Sequence, residues 1–200
     1  APPLLDIVLP VGISFYTFHT ISYIVDVTDG RVRATHDIFE YFTYVSLFSQ
    51  LVAGPIVRYS DIAEQLRERK ADLSDVAAGF RRFCFGLAKK ALLANTLAIT
   101  ADAVYALPQA SVNAPLAWLG AIAYLLQIYF DFSGYSDMAI GLGQAFGFRF
   151  LENFQYPYSA RSMQDFWRRW HISLSTWFKE YVYIPLGGNR KGKLRAGLNK

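Results

Sequence analysis

The chain is 200 residues long, with 53% hydrophobic, 16% aromatic and 18% charged residues and a formal net charge of +4. That charge falls far short of a nucleic-acid footprint, and a single cysteine, Cys84, excludes an internal disulfide, so no redox compartment follows from it. A mean hydropathy of +0.18 is too low for a bare bundle of leucine helices and fits helices that line a polar interior. No signal peptide is visible behind Ala1-Pro2-Pro3. With no Met start, and with a basic run from Asn189 to Lys200 and no closing element, residues 1–200 read as part of a longer membrane domain.

Ile7 to Val27 is the first apolar stretch, and roughly 20 such residues cross a hydrocarbon core. Its polar residues Tyr16, His19, Tyr23 and Asp26 share one helical face. Ile38 to Val57 is a second candidate span, stopped or kinked by Gly54-Pro55. Ser60 to Asp75 carries both signs of charge and reads as an exposed helix or loop, and His36 falls in a polar loop beside Asp37. Val76 to Leu107 is apolar again, but Arg81-Arg82 and Lys89-Lys90 interrupt its first half, leaving Ala91 to Leu107 as its clean part. Leu116 to Phe132 is the next span, with Tyr124, Gln127, Asp131 and Tyr135 as a second polar stripe. Ionisable groups at membrane depth face protein or water rather than lipid. Met138 to Phe150 follows and contains Gly143-x-x-x-Gly147, which reads as close helix packing. A nucleotide loop has neither this spacing nor this context. Basic residues gather in loop 58–75, in 149–170 and in the tail, while Pro108 to Pro115 has none. The positive-inside rule therefore places the basic loops in the cytoplasm and Pro108–Pro115 outside, with Arg31 and Arg33 as a mild violation.

The run Gln164 to Tyr181 is the most informative segment. As one helix it gathers Asp165, Arg168, Arg169, Thr176, Lys179 and Glu180 on one side, and Trp167, Trp170, Leu174, Trp177, Phe178 and Tyr181 on the other. A basic, Trp-rich helix of this kind suits the plane of a membrane–water interface. His171 falls inside the apolar side, where an imidazole is costly unless something uses it.

The string from Phe130 to Gly192, FDFSGYSDMAIGLGQAFGFRFLENFQYPYSARSMQDFWRRWHISLSTWFKEYVYIPLGGNRKG, resembles the signature of the membrane-bound O-acyltransferase superfamily, most closely its alginate O-acetyltransferase branch. PVGISFYTFHTISYIVDV, LFSQLVAGPIVRYSDI and FCFGLAKKALLANTLA resemble earlier segments of the same family. The resemblance implies an all-α, multi-spanning acyltransferase whose in-plane and re-entrant helices surround a polar tunnel. Its activity would carry an acyl group, acetyl in the first instance, from a cytoplasmic donor (acetyl-CoA or an acyl carrier) toward an exported polysaccharide or a periplasmic acetyltransferase partner. Membrane lipid would surround it in a bacterial inner membrane. The family has two characteristic histidines. His171 matches the first, and the second, in a Leu-Trp-His-Gly context and usually taken as catalytic in the family, is expected beyond Lys200, so residues 1–200 alone are expected to be inactive.

On its own terms, moving an acyl group from a thioester to a hydroxyl requires a base near neutral pH, donors aimed at the developing oxyanion, and exclusion of water. His171 is the catalytic candidate, against a plain packing histidine. Tyr124, Gln127, Asp131, Asp137, Trp167, Arg168, Arg169, Trp170, Ser173 and Trp177 are substrate or tunnel candidates. For Asp131 and Asp137, structural hydrogen bonding or capping is the favoured role. His19 reads as core or tunnel lining. Arg168 and Arg169 suit lipid phosphates, or the diphosphate of a carrier. Ser173 and Ser175 lie in no Gly-x-Ser-x-Gly elbow, and three histidines with one cysteine offer no metal spacing. A transporter and a docking scaffold for a periplasmic transferase remain the competing functions.

Overall fold

The computed structural model describes residues 12–51 and 54–188. Within them every regular element is helical: α1 (Ile13–Thr28), α2 (Ile38–Ser46), α3 (Tyr59–Arg67), α4 (Leu73–Ala88), α5 (Asn95–Tyr105), α6 (Ala114–Ala145), α7 (Met163–Trp167) and α8 (Ile172–Phe178). The N-terminal end of the expected span Ile7–Val27 and the basic tail Asn189–Lys200 lie outside the described residues.

A widened π turn, Lys89–Ala94, joins α4 to α5 without a break. The charges expected to interrupt this stretch do not, because α6 supplies their partners. Lys90 pairs with Asp131, while Arg82 and Lys89 both bind Asp137, at 2.9 and 2.6 Å. Likewise Leu116–Phe132 and Met138–Phe150 are not two elements, since α6 runs unbroken for 32 residues. Asn113 caps it, its side chain accepting from the Leu116 amide at 3.0 Å. At its other end Gly147 takes a left-handed φ of 82°. Leu73–Tyr105 and α6 are long and apolar enough to cross a membrane by length and composition. Their outward faces carry Phe80, Phe85, Leu92, Ile99, Trp118 and Ile122, all exposed, as lipid-facing or partner-facing surfaces require.

Glycine sets how closely these two helices approach, but not the glycine pair expected. Gly147 ends α6 and Gly143 makes room for the Phe150 ring. The close contact uses Gly79 and Gly86 on α4 against Gly141 and Gly134 on α6. A Cβ on Gly79 would lie 2.4 Å from the Gly141 carbonyl oxygen, and one on Gly86 2.5 Å from that of Gly134. Both obstacles are backbone, so neither can swing aside. Gly79→Val is therefore expected to cost about 1–3 kcal/mol or more through overpacking. It should lower membrane accumulation and detergent melting temperature, whereas an exposed α4 substitution such as Phe80→Leu should change neither. Equal accumulation of both variants would dissolve the close-contact assignment.

The expected span Ile38–Val57 is not one helix. α2 stops at Ser46, Leu47 turns extended (ψ 116°), and a short 3₁₀ turn covers Phe48–Gln50. The side-chain amide of Gln50 donates to the Tyr44 carbonyl at 2.7 Å and takes over a terminus the helix would otherwise have satisfied. Ser60–Asp75 is only partly exposed, because α3 buries Tyr59 and Ile62 against Tyr44, Val57, Ile140 and Phe148. α1 then fixes the C-terminal segment. Phe18 packs on Trp177 at 4.6 Å between ring centroids, Trp177 Nε1 donates to the Phe18 carbonyl at 3.2 Å, and Tyr181 donates to Asp26 at 2.8 Å.

Candidate functional site

The run Gln164–Tyr181 is broken in two. Ser162 caps α7, accepting from the Asp165 amide at 3.1 Å. One turn later the chain leaves the helix, and His171 adopts φ 44°, ψ 56°, before α8 restarts at Ile172. A left-handed conformation costs a non-glycine residue roughly 1–2 kcal/mol. The irregular segment 153–155 takes hydrogen bonds that a continuous helix would have kept. Ile172 N–H donates to the Asn153 carbonyl at 3.0 Å, Ser173 N–H to the Asn153 side-chain oxygen at 3.2 Å, and Gln155 N–H to the Arg169 carbonyl at 2.9 Å. The expected two-faced helix therefore does not exist, and its division into polar and apolar sides fails at the break.

The break aims His171 inward. The residue keeps 9% of its surface exposed and Asn153 keeps none. Phe132 of α6 meets the imidazole edge-on at 4.7 Å, and Phe154 lies nearly parallel to it at 6.5 Å. Phe154 in turn contacts Phe132 and Trp170, each at 5.0 Å. α6 is roughly 48 Å long at ~1.5 Å per residue, and Phe132 stands near its middle, so the imidazole sits well away from either helix end. His171 Nδ1 lies 3.1 Å from Asn153 Oδ1, and Nε2 has no hydrogen-bond partner among the described residues. Burial pulls its pKa down from 6.5 to about 4, because desolvation disfavours the imidazolium.

Ser173 Oγ donates to Asn153 Oδ1 at 3.0 Å and accepts from the Ile56 amide at 3.0 Å, tying α8 to the segment after α2. Beyond Asn153, whose Nδ2 donates to Ser136 Oγ at 3.1 Å, a cavity of about 360 Å³ opens among Arg82, Lys89, Tyr129, Ser133, Ser136 and Asp137. A groove of about 330 Å³ lies on the far side of Ile172, lined by Gln164, Trp167, Arg168, Ser175, Thr176 and Lys179.

Of the residues singled out from sequence, Ser173, Trp170 and Trp177 come to this region. Trp170 belongs to the aromatic surround and Trp177 braces α8 against α1. Asp137 lines the polar cavity, held by Arg82 and Lys89. Trp167 and Arg168 stand exposed in the groove, while Arg169 is drawn off to Asp165 at 2.9 Å. Tyr124 contacts Tyr105 and Asp131 pairs with Lys90, so these two face the continuous helix of α4 and α5; Gln127 lies between them on the same stripe of α6. His19 is fully buried in α1, and neither ring nitrogen has a partner among the described residues. His36 is exposed, as expected. No group of three His, Cys, Asp or Glu residues among the described residues is arranged to hold a metal. Asn153, the hub of the site, went unnoticed in the sequence, as did Phe132, Ser136 and Phe154. The only signal was an amide inside an aromatic run, NFQYPY, just before the Trp-rich segment.

An all-helical membrane protein with a buried imidazole in an aromatic surround is the class these features define. A family model described as the membrane-bound O-acyltransferase family matches residues 30–199. The chain belongs to that family. It is 52% identical over 196 residues to a "Probable alginate O-acetylase" of Pseudomonas fluorescens, covering 98% of this chain and 39% of the relative. It is 38% identical over 218 residues to a peptidoglycan O-acetyltransferase of Helicobacter pylori, covering 95% and 41%. It is 30% identical over 178 residues to a teichoic acid D-alanyltransferase of Bacillus subtilis, covering 87% and 45%. The chain thus spans about two fifths of the length of the curated relatives it matches.

Proposed function

We propose that the full-length protein is an O-acyltransferase of a bacterial cytoplasmic membrane that moves acetyl from a thioester donor onto hydroxyls of an exported polysaccharide. The observation that carries this reading is His171: a neutral imidazole buried among aromatic rings against Phe132 of α6, with Nδ1 engaged and Nε2 unpartnered among the described residues. In the proposed reaction Nε2 takes the proton as the acceptor hydroxyl attacks the thioester carbonyl. The tetrahedral intermediate then collapses, the C–S bond breaks, and the thiolate recovers the proton from the imidazolium. The products are an O-acetyl ester and a free thiol. Phe132, Phe154 and Trp170 keep water from hydrolysing the thioester first.

Acetyl-CoA and an acylated carrier protein both bring phosphate esters. Arg168 and Lys179 share the groove beside Ile172 and have no ion-pair partner among the described residues, since Asp165 is engaged by Arg169 and Glu180 by Arg58. Their uncompensated charge suits the donor's phosphates. The excess of Lys and Arg in the neighbouring loops supports a cytoplasmic side for this groove in the full-length protein. The printed names of the relatives make alginate the first acceptor to test, reached directly or through a periplasmic transferase. Deleting the full-length gene should strip O-acetyl esters from the exported polysaccharide, and the gene restored in trans should return them. Unchanged ester content after deletion would refute the acceptor class.

A further inference from the structure

Three donors converge on one oxygen in this site, and one of them can be read without ambiguity. The Ser173 N–H can only donate, so the Asn153 atom 3.2 Å from it is the carbonyl oxygen and the amide cannot be flipped. The Asn153 Nδ2 is accounted for separately, donating to Ser136 Oγ at 3.1 Å. The same oxygen lies 3.1 Å from His171 Nδ1. Two acceptors cannot face each other at that distance, so Nδ1 carries the hydrogen and Nε2 carries the lone pair.

We propose that Asn153 is a positioning residue for the reaction, one that holds His171 in its Nδ1–H tautomer and so leaves Nε2 as the nitrogen that carries the lone pair. The proposal rests on the reading of His171 as the base. Asn153 grips the histidine segment twice. Its main-chain carbonyl accepts from Ile172 N–H at 3.0 Å and pins the left-handed turn, while its side chain sets the ring. A fully buried amide with its oxygen accepting three bonds has no freedom to exchange roles. The choice of a neutral amide over a carboxylate also has a consequence. Phe132, Asn153, Phe154 and Ser173 lie against the ring and none of them is charged, so none of these four holds a proton on Nε2. Oriented partners of this kind are worth about 10–100-fold when removed from metal-bound histidines, and the same orienting role applies here.

The full-length protein in proteoliposomes decides the matter. Asn153→Ala should lower kcat by about 10–100-fold with the KM for donor and acceptor little changed. Nitrogen NMR of ¹⁵N-histidine-labelled protein should show the His171 Nδ1–H form in the parent and a shift toward Nε2–H in the variant. Asn153→Asp places a carboxylate on Nδ1 and should retain the tautomer while moving the acid limb of the pH–rate profile to higher pH, since the imidazolium is then stabilised. If Asn153→Ala fails to accumulate, the near-isosteric Asp variant and the NMR of the parent still decide. An Nε2–H tautomer in the parent, wild-type kcat in Asn153→Ala, or an unmoved acid limb in the Asp variant overturns the assignment. The NMR readout also separates this proposal from the one beneath it. Were His171 to prove uninvolved in transfer, the tautomer would still report whether Asn153 sets it.

Discussion

His171→Ala in the full-length protein is expected to lower acyl transfer by about 10²–10⁴-fold, the usual worth of a positioned general base, with membrane levels near those of the parent. The two effects separate because the ring is held by one hydrogen bond and aromatic contacts, while the turn around it is pinned by the Asn153 carbonyl and Ser173, which alanine leaves in place. His171→Gln keeps a donor for Asn153 but cannot titrate. Partial activity in the Gln variant would assign His171 to orienting the acceptor, and complete loss would assign it to proton transfer. A wild-type rate in His171→Ala would remove it from the site altogether. The pH dependence follows from the lowered pKa. With the folded value near 4 against about 6.5 unfolded, the unfolded chain binds more protons between those limits. Stability therefore rises with pH across that window, and above it the group imposes no further penalty. Activity that needs neutral imidazole should likewise persist down to about pH 4–5 before this group limits it.

The helical class and the place of the long apolar helices in the chain were legible in the sequence because apolar length carries them locally. What was not legible depends on contacts between distant segments. Arg82, Lys89 and Lys90 read as interruptions only while α6 is out of view; once Asp131 and Asp137 pair with them, the helix passes through. The helix assigned to 164–181 failed for a related reason. Its periodicity is real over each half, but residues 153–155 capture the N–H and C=O groups at the junction, and no pattern within the segment announces that theft. Asn153 itself is an ordinary loop residue by type. Its place in the site comes from complete burial and from having both its carbonyl and its side chain directed at one segment, residues 171–173. The glycine contact was misplaced because Gly143 and Gly147 are close in sequence, whereas Gly79, Gly86, Gly134 and Gly141 reveal themselves only when α4 and α6 are set side by side.

Asp137→Leu is expected to cause the largest loss of folded protein among single changes outside the helix contact. Asp137 receives two nitrogens of Arg82, at 2.9 and 3.1 Å, and Lys89 at 2.6 Å. Arg82 continues to Glu152 at 2.5 and 2.7 Å, next to Asn153. Removing the central carboxylate would leave Arg82 with Glu152 alone and Lys89 without its partner, both on a helical stretch long and apolar enough to cross a membrane. Breaking a buried pair on one side typically costs about 3–5 kcal/mol, because the orphaned charge remains desolvated. The side chains are partly exposed, at 19% for Asp137 and 26% for Arg82, which pulls the expectation toward the lower end of that range. Accumulation and detergent melting temperature should both fall. Asp137→Asn, which keeps the shape and one of the two acceptor oxygens but no charge, should fall less. Pairing Asp137→Leu with Lys89→Met should recover part of the loss, since an apolar replacement of both partners is tolerated where removal of one is not. If Asp137→Leu instead accumulates like the parent and loses only transfer, the carboxylate belongs to the chemistry of the polar cavity behind Asn153 and not to the bracing of α4 against α6.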